Sequence, residues 1–237
     1  MHTDSRPGPL PAAPTKPLPA RHRLRHGILA VSAVAMSAVG LAGCSTKDLV
    51  VTTTADTHDA GIDGSCDDGT GQCSLRAAFE EANASIGDEP IITVPGGTYS
   101  LTLGAIVADR PGRVVATQQG ATPVLVDLGG NGTRGFDVAA GTDLDITGFT
   151  ITGAVTTGDG GAVSVAGTFA LHRSTINGNS ATGNGGAIAI ASGGIVSVVT
   201  STIDGNTAGG SGQAISNNGT LNSWHATIAA NASGVIE

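Results

Sequence analysis

Residues 160–231 say nearly the same thing three times, and no other feature limits the fold as tightly. Gly161-Ala162-Val163-Ser164-Val165 returns as Gly186-Ala187-Ile188-Ala189-Ile190 and again as Gln213-Ala214-Ile215-Ser216-Asn217. Each copy runs on to a second landmark: Ser174-Thr175-Ile176, Ser201-Thr202-Ile203, then Ala226-Thr227-Ile228. Three residues past each isoleucine sits an asparagine: Asn179, Asn206 and Asn231. Self-similarity at about 25 residues means a solenoid, a propeller or an array. The apolar positions are mostly β-branched and alternate with a period of two, which is a strand pattern. Glycine and Asn/Asp clusters separate the short runs, as turns require. Three short strands and three turns per period describe one coil of a parallel β-helix. Propeller blades are longer and richer in aromatics, and this chain is only 3% aromatic. The expected fold class is therefore all-β, a parallel β-helix of about five coils.

The chain splits by charge. Before Cys44 there are five Lys/Arg and one acid; after it, six Lys/Arg face 18 Asp/Glu. A body this acidic argues against nucleic acid or an anionic membrane face as partner. It suits a solvated extracellular surface. Residues 1–26 are proline-rich and basic, Gly27 to Gly40 is apolar, and Leu41-Ala42-Gly43-Cys44 follows. A basic region, an apolar region and small residues before a cut describe a secretory signal. Leu41-Ala42-Gly43-Cys44 resembles the bacterial lipobox, which implies lipidation of Cys44 and membrane anchoring through that lipid. The expected division is a signal peptide at 1–43, a tether at 44–48, an N-terminal cap at 49–90 and the β-helix at 91–237.

Within the cap, the exported setting permits disulfides. With Cys44 lipidated, Cys66 and Cys73 are the intramolecular pair. Leu75, Ala78, Phe79 and Ala82 recur at three and four, which predicts a short amphipathic helix with Ser74 as N-cap. Val50 to Asp56, then Cys66, then Cys73-Ser74-Leu75-Arg76 and Ala82-Asn83, resemble the CSLREA-type N-terminal module of secreted bacterial β-helix proteins. Residues 91–101 resemble that family's first coil. The resemblance implies a right-handed, pectate-lyase-like β-helix closed at its start by a short helical cap. One departure matters. The family's Ser-Leu-Arg-Glu is a capping box, in which Glu at N3 returns a bond to the N-cap. Here N3 is Ala77, so the helix is expected to depend on packing against the first coil. The acidic loop (Asp56, Asp59, Asp63, Asp67, Asp68) offers oxygen ligands of the kind calcium takes, although solvated acidic turns read more plainly.

Aligning the copies predicts inward columns Val138/Val163/Ile188/Ile215, Ile151/Ile176/Ile203/Ile228 and Leu144/Phe169/Val196/Leu221. Asn179, Asn206 and Asn231 align as an internal ladder, each amide bonding its neighbours along the axis. Outward columns read Thr147/His172/Val199/Trp224 and Gly148/Arg173/Thr200/His225. Arg173, Trp224 and His225 are thereby candidate ligand-binding residues, since tryptophan beside histidine and arginine can stack on a sugar. Asp143 and Asp145 share a face and, with His172, are the candidates for catalysis. No carboxylate lines up with His172 and Arg173 by column, and no carboxylate cluster spans several coils. The expectation is an exported, lipid-anchored cell-surface module for binding, adhesion or structure, its partner a glycan or a surface protein. The alternative is a polysaccharide lyase or glycoside hydrolase acting on an acidic polysaccharide, without a cofactor beyond calcium. What covers the C-terminal end of the coil stack is left open by the sequence.

Overall fold

The computed structural model describes residues 46–85, 89–110, 112–229, 231 and 232. The leader and Cys44 lie outside the described residues.

The described residues form a parallel β-solenoid of about five coils with one short helix. It begins with β1 (Thr46–Val50) and α1 (Leu75–Ala84). The first coil is β2 (Glu89–Ser100) with β3 (Ile106–Ala108), and the second is β4 (Gly112–Asp127) with β5 (Phe136–Val138). From there each coil has four strands. The third holds β6 (Thr142–Thr147), β7 (Phe149–Thr152), β8 (Val155–Thr156) and β9 (Val163–Val165). The fourth holds β10 (Thr168–His172), β11 (Thr175–Asn177), β12 (Ser180–Ala181) and β13 (Ile188–Ile190). The fifth holds β14 (Ile195–Val199), β15 (Thr202–Asp204), β16 (Thr207–Ala208) and β17 (Ile215–Asn217). β18 (Thr220–Trp224) and β19 (Thr227–Ala229) start a sixth.

Every pairing between coils is parallel and nearly all are in unbroken register. Val114, Leu144, Phe169, Val196 and Leu221 make one inward column. Val126, Ile151, Ile176, Ile203 and Ile228 make another. The remaining expected column, Val138/Val163/Ile188/Ile215, needs a correction. Val163 pairs with Phe136, not Val138, which pairs with Val165. The turn between β4 and β5 (128–135) is two residues shorter than its counterpart in the next coil (153–162), so counting back by 25 lands two residues late. β1 is a second departure. It starts at Thr46, within the expected tether, and pairs in parallel with β2 from Thr46↔Glu89 to Val50↔Thr93.

Two glycine positions explain why the repeat must look as it does. Gly160, Gly185 and Gly212 open the three copies with φ of 73°, 69° and 65°, backbone that only glycine adopts cheaply. The next residue packs against the following coil. A Cβ on Gly161 would lie 2.0 Å from Gly186 O, and one on Gly186 2.3 Å from Gln213 O. In the third copy this position is Gln213. No described strand stacks beyond β17, so a side chain fits there. Its Oε1 accepts from Ala208 N at 2.7 Å.

The lid is held by packing, as its incomplete capping box requires. Ser74 Oγ accepts from Ala77 N at 3.0 Å and donates to Thr57 O at 2.6 Å. Leu75, Ala78, Phe79 and Ala82 are buried against the first coils, with the Phe79 ring 5.6 Å from that of Phe136. A disulfide joins Cys66 and Cys73. Beneath it, buried Arg76 donates through Nε and Nη2 to Asp56, and to Gly104 O and Ala105 O. Asp56 Oδ2 also accepts from Thr102 N and Leu103 N at 2.6 and 2.7 Å. Lys47 Nζ binds Glu81 at 2.8 Å.

Candidate functional site

The outer face of β6, β10, β14 and β18 gathers the candidate residues. Alternation along each strand turns one side chain out for each turned in, and the register stacks them. Asp143 lies beside Thr168, Asp145 beside Ala170, and Thr147 beside His172. The last column continues to Val199 and Trp224. Trp224 is 53% exposed.

Across the coils the charged groups meet diagonally. Arg113 Nη2 of β4 binds Asp145 Oδ2 at 2.9 Å, and His172 Nε2 lies 3.6 Å from Asp145 Oδ1. The column of His172 holds no carboxylate, as the alignment expects, and Asp145 reaches it from the side. A straight column misses the pair because Asp145 sits two residues before the position that faces His172. The Asp145 Oδ1 atom is buried and lacks a hydrogen-bond partner. Burial pushes the Asp143 carboxyl above its ordinary value; Arg113 opposes this, while Asp145 and Glu89 add to it. The hydrogen bond from Arg113 to Asp145 raises the guanidinium pKa against the effect of its own burial. A carboxyl inclined to hold its proton thus stands beside one held by arginine and facing an imidazole. Carboxyl pairs with divergent environments are the residue types used to cleave glycosidic bonds.

Arg173 and His225 are placed differently from the strand residues. With Thr200 they form the corner after β10, β14 and β18, at φ of 45°, 51° and 53°. Gly148 holds the same corner in the third coil at 81°. The left-handed conformation turns the chain sharply from one strand to the next, and the side chains at the corner are exposed. His172, Arg173, Trp224 and His225 therefore occupy two adjacent rows along one edge of the rod.

The inner side of that corner holds a feature the sequence reading missed. Ser174 Oγ accepts from Gly148 N and Phe149 N, each at 3.0 Å, and Ser201 Oγ accepts from Ser174 N at 3.1 Å. The signal was in plain view as the serine of the Ser-Thr-Ile landmark, which Ala226 ends. The asparagines do ladder. Asn206 Oδ1 accepts from Asn179 N and Nδ2, and Asn231 Oδ1 from Asn206 N and Nδ2, at 2.9 to 3.0 Å.

The lid acids serve the backbone. Asp63 accepts from Ser65 N, Asp67 from Gly69 N and Gly71 N, and Asp68 from Thr70 N. Asp59 accepts from Gly61 N and Asp56 from Arg76. Among the described residues no three His, Cys, Asp or Glu converge as metal ligands would. Two hollows lie away from the edge. One of about 350 Å³ is bordered by Ser164, Ala189 and Ser216; the other, of about 290 Å³, lies under α1 against Phe79 and Leu103. The candidate residues line neither hollow; their rows along the coils suit an extended ligand lying along them.

No family model, curated protein or solved structure matches the chain.

Proposed function

We propose that this is an exported, lipid-anchored surface protein whose solenoid presents an elongated binding edge for glycan. The observation that carries the reading is the juxtaposition of His172, Arg173, Trp224 and His225 in two adjacent rows, with Trp224 exposed. An exposed tryptophan combines a large apolar face with a polar N–H, the combination that recognition surfaces favour. Anchoring rests on Leu41-Ala42-Gly43-Cys44 and its basic, apolar leader. Two measurements test the reading. Cys44→Ser moves the protein from the membrane fraction to the soluble fraction; unchanged fractionation removes the anchor. On an array of immobilised glycans the full chain retains a defined subset and Trp224→Ala loses it; an array bare of signal removes the binding edge.

A second reading, a glycoside hydrolase or polysaccharide lyase, is favoured by the diagonal grouping of Arg113, Asp143, Asp145 and His172. It expects new reducing ends, or the ultraviolet absorbance of unsaturated uronates, when acidic polysaccharides are incubated with the protein, with and without calcium. Either product must vanish in Asp143→Asn and in His172→Ala. Retention of glycan with no product favours the first reading.

A further inference from the structure

Charge is distributed unequally along the rod. Residues 46–148 hold five Lys/Arg against fifteen Asp/Glu, whereas residues 149–232 hold one, Arg173, against two, Asp159 and Asp204. The acidity thus belongs to the lid and the first coils, and the distal half is close to neutral. Partners use up the other cations. Lys47 binds Glu81, Arg76 binds Asp56, Arg113 binds Asp145 and Arg134 binds Asp137. Arg110 is buried and donates to Ser85 O and Arg113 O. Among the described residues Arg173 alone is an exposed cation with no partner.

Its position makes that exposure costly. A non-glycine residue in the left-handed region loses about 1–2 kcal/mol, and Gly148 fills the equivalent corner one coil earlier without that loss. The chain nevertheless puts Arg173, Thr200 and His225 there. Strain of this kind persists where the side chain has a use. Coils stack about 4.8 Å apart, so Arg173 and Trp224 stand about two coils apart in adjacent rows. Two such steps, roughly 10 Å, are close to the length of two sugar rings in an extended polysaccharide.

We infer that the edge takes an acidic polysaccharide of sparse charge, lying along the rod axis, with one sugar carboxylate on Arg173 and a ring stacked on Trp224. The inference rests on the glycan-binding reading above and names its ligand class. A single free cation over three coils fits a polymer that carries a carboxylate on alternate sugars. It does not fit nucleic acid, whose duplex bears a charge every ~1.7 Å. The bidentate guanidinium is the group suited to a carboxylate, and exposed His225, in the same row, adds a further donor, whereas His172 is faced by Asp145. Long-range repulsion from the acidic lid is weak at the distal half, since physiological salt screens charge over about 8 Å.

The test uses the purified full-length chain in detergent micelles, titrated calorimetrically with a hexasaccharide of alternating glucuronate and N-acetylated hexosamine. The same hexasaccharide with its carboxyls reduced to alcohols is the comparison. Wild type binds the acidic form at least about tenfold more tightly, the scale of one charge-assisted contact. Arg173→Gly abolishes that preference while its melting temperature stays the same or rises, because glycine suits the φ of 45°. Trp224→Ala weakens both forms. Equal binding of the two forms by wild type, or a preference that survives Arg173→Gly, overturns the inference and leaves the glycan-binding reading standing. Binding of neither form, with an empty glycan array, overturns both.

Discussion

At the scale of single residues, two positions set against each other show how this chain treats strain and charge. Thr200 is β-branched and left-handed at φ 51°, the costliest side-chain type for that conformation. Thr200→Gly should therefore stabilise by about 1 kcal/mol, net of glycine's larger unfolded-state entropy. A rise in melting temperature of about 2–4 °C is the expected reading for a domain of this size; a fall would show that the Thr200 side chain contributes more than its backbone loses. Asp56 and Arg76 are the opposite case. Their side chains are only 3% and 6% exposed, so each depends on the other. Burial pushes the Asp56 carboxyl up, but the Arg76 guanidinium and the Leu103 and Thr102 amides outweigh it and hold it below its ordinary 3.8. Asp56→Asn leaves Arg76 charged and buried without a counter-ion, which should destabilise by about 3–5 kcal/mol at neutral pH.

At the scale of elements, the two ladders do what isolated short strands cannot. Each amide in the asparagine ladder satisfies backbone groups of its own coil and of its neighbour. Asn206 is fully buried, and its Nδ2 donates to Ile176 O, Asp204 O and Asn231 Oδ1. Truncating it orphans groups on both sides, at about 1–3 kcal/mol for each buried group left unpaired. Asn231 is partly exposed and has a neighbour on one side among the described residues. Asn206→Ala should thus lower the melting temperature clearly more than Asn231→Ala, and equal losses would refute a cooperative ladder. The helix supplies the complementary case. Restoring the capping box with Ala77→Glu looks favourable on the sequence, yet Ala77 is fully buried. A carboxylate there meets the first coils instead of the N-cap. Circular dichroism melts should show Ala77→Glu destabilised; a stabilised variant would mean that the lid has room to move outward.

For the whole molecule, the acidic lid predicts how the rod responds to pH. Burial raises the Glu81 carboxyl, but Lys47 and the Asp63 and Gly64 amides bring it below its ordinary 4.5. Asp56 is depressed in the same way. For both groups the folded state binds fewer protons than the unfolded chain, so their stabilisation is present above the unfolded values. It is lost as pH falls through the lower, folded ones. Protection of the amides of residues 75–84, corrected for intrinsic exchange, should therefore fall at about pH 3 relative to pH 7, before that of the coils beyond β6. In Asp56→Asn that acid sensitivity should shrink; simultaneous loss of lid and coils would show one cooperative unit. The sequence alone determined the period, the alternation, the inward columns from Leu144 onward, the N-cap at Ser74 and the asparagine alignment. Each of these is dictated by local geometry repeated at a fixed interval, so counting along the chain recovers it. Counting failed at Val138, because the turn before β5 is two residues shorter than in the later coils, and at Thr46, where a strand finds its partner some 40 residues away. Tertiary structure alone decided that Asp145 reaches both Arg113 and His172, that Arg173 ends without a counter-ion, and that Thr200 is strained. Those facts depend on which side chains meet across coils and around a corner, distances that no interval along the sequence encodes.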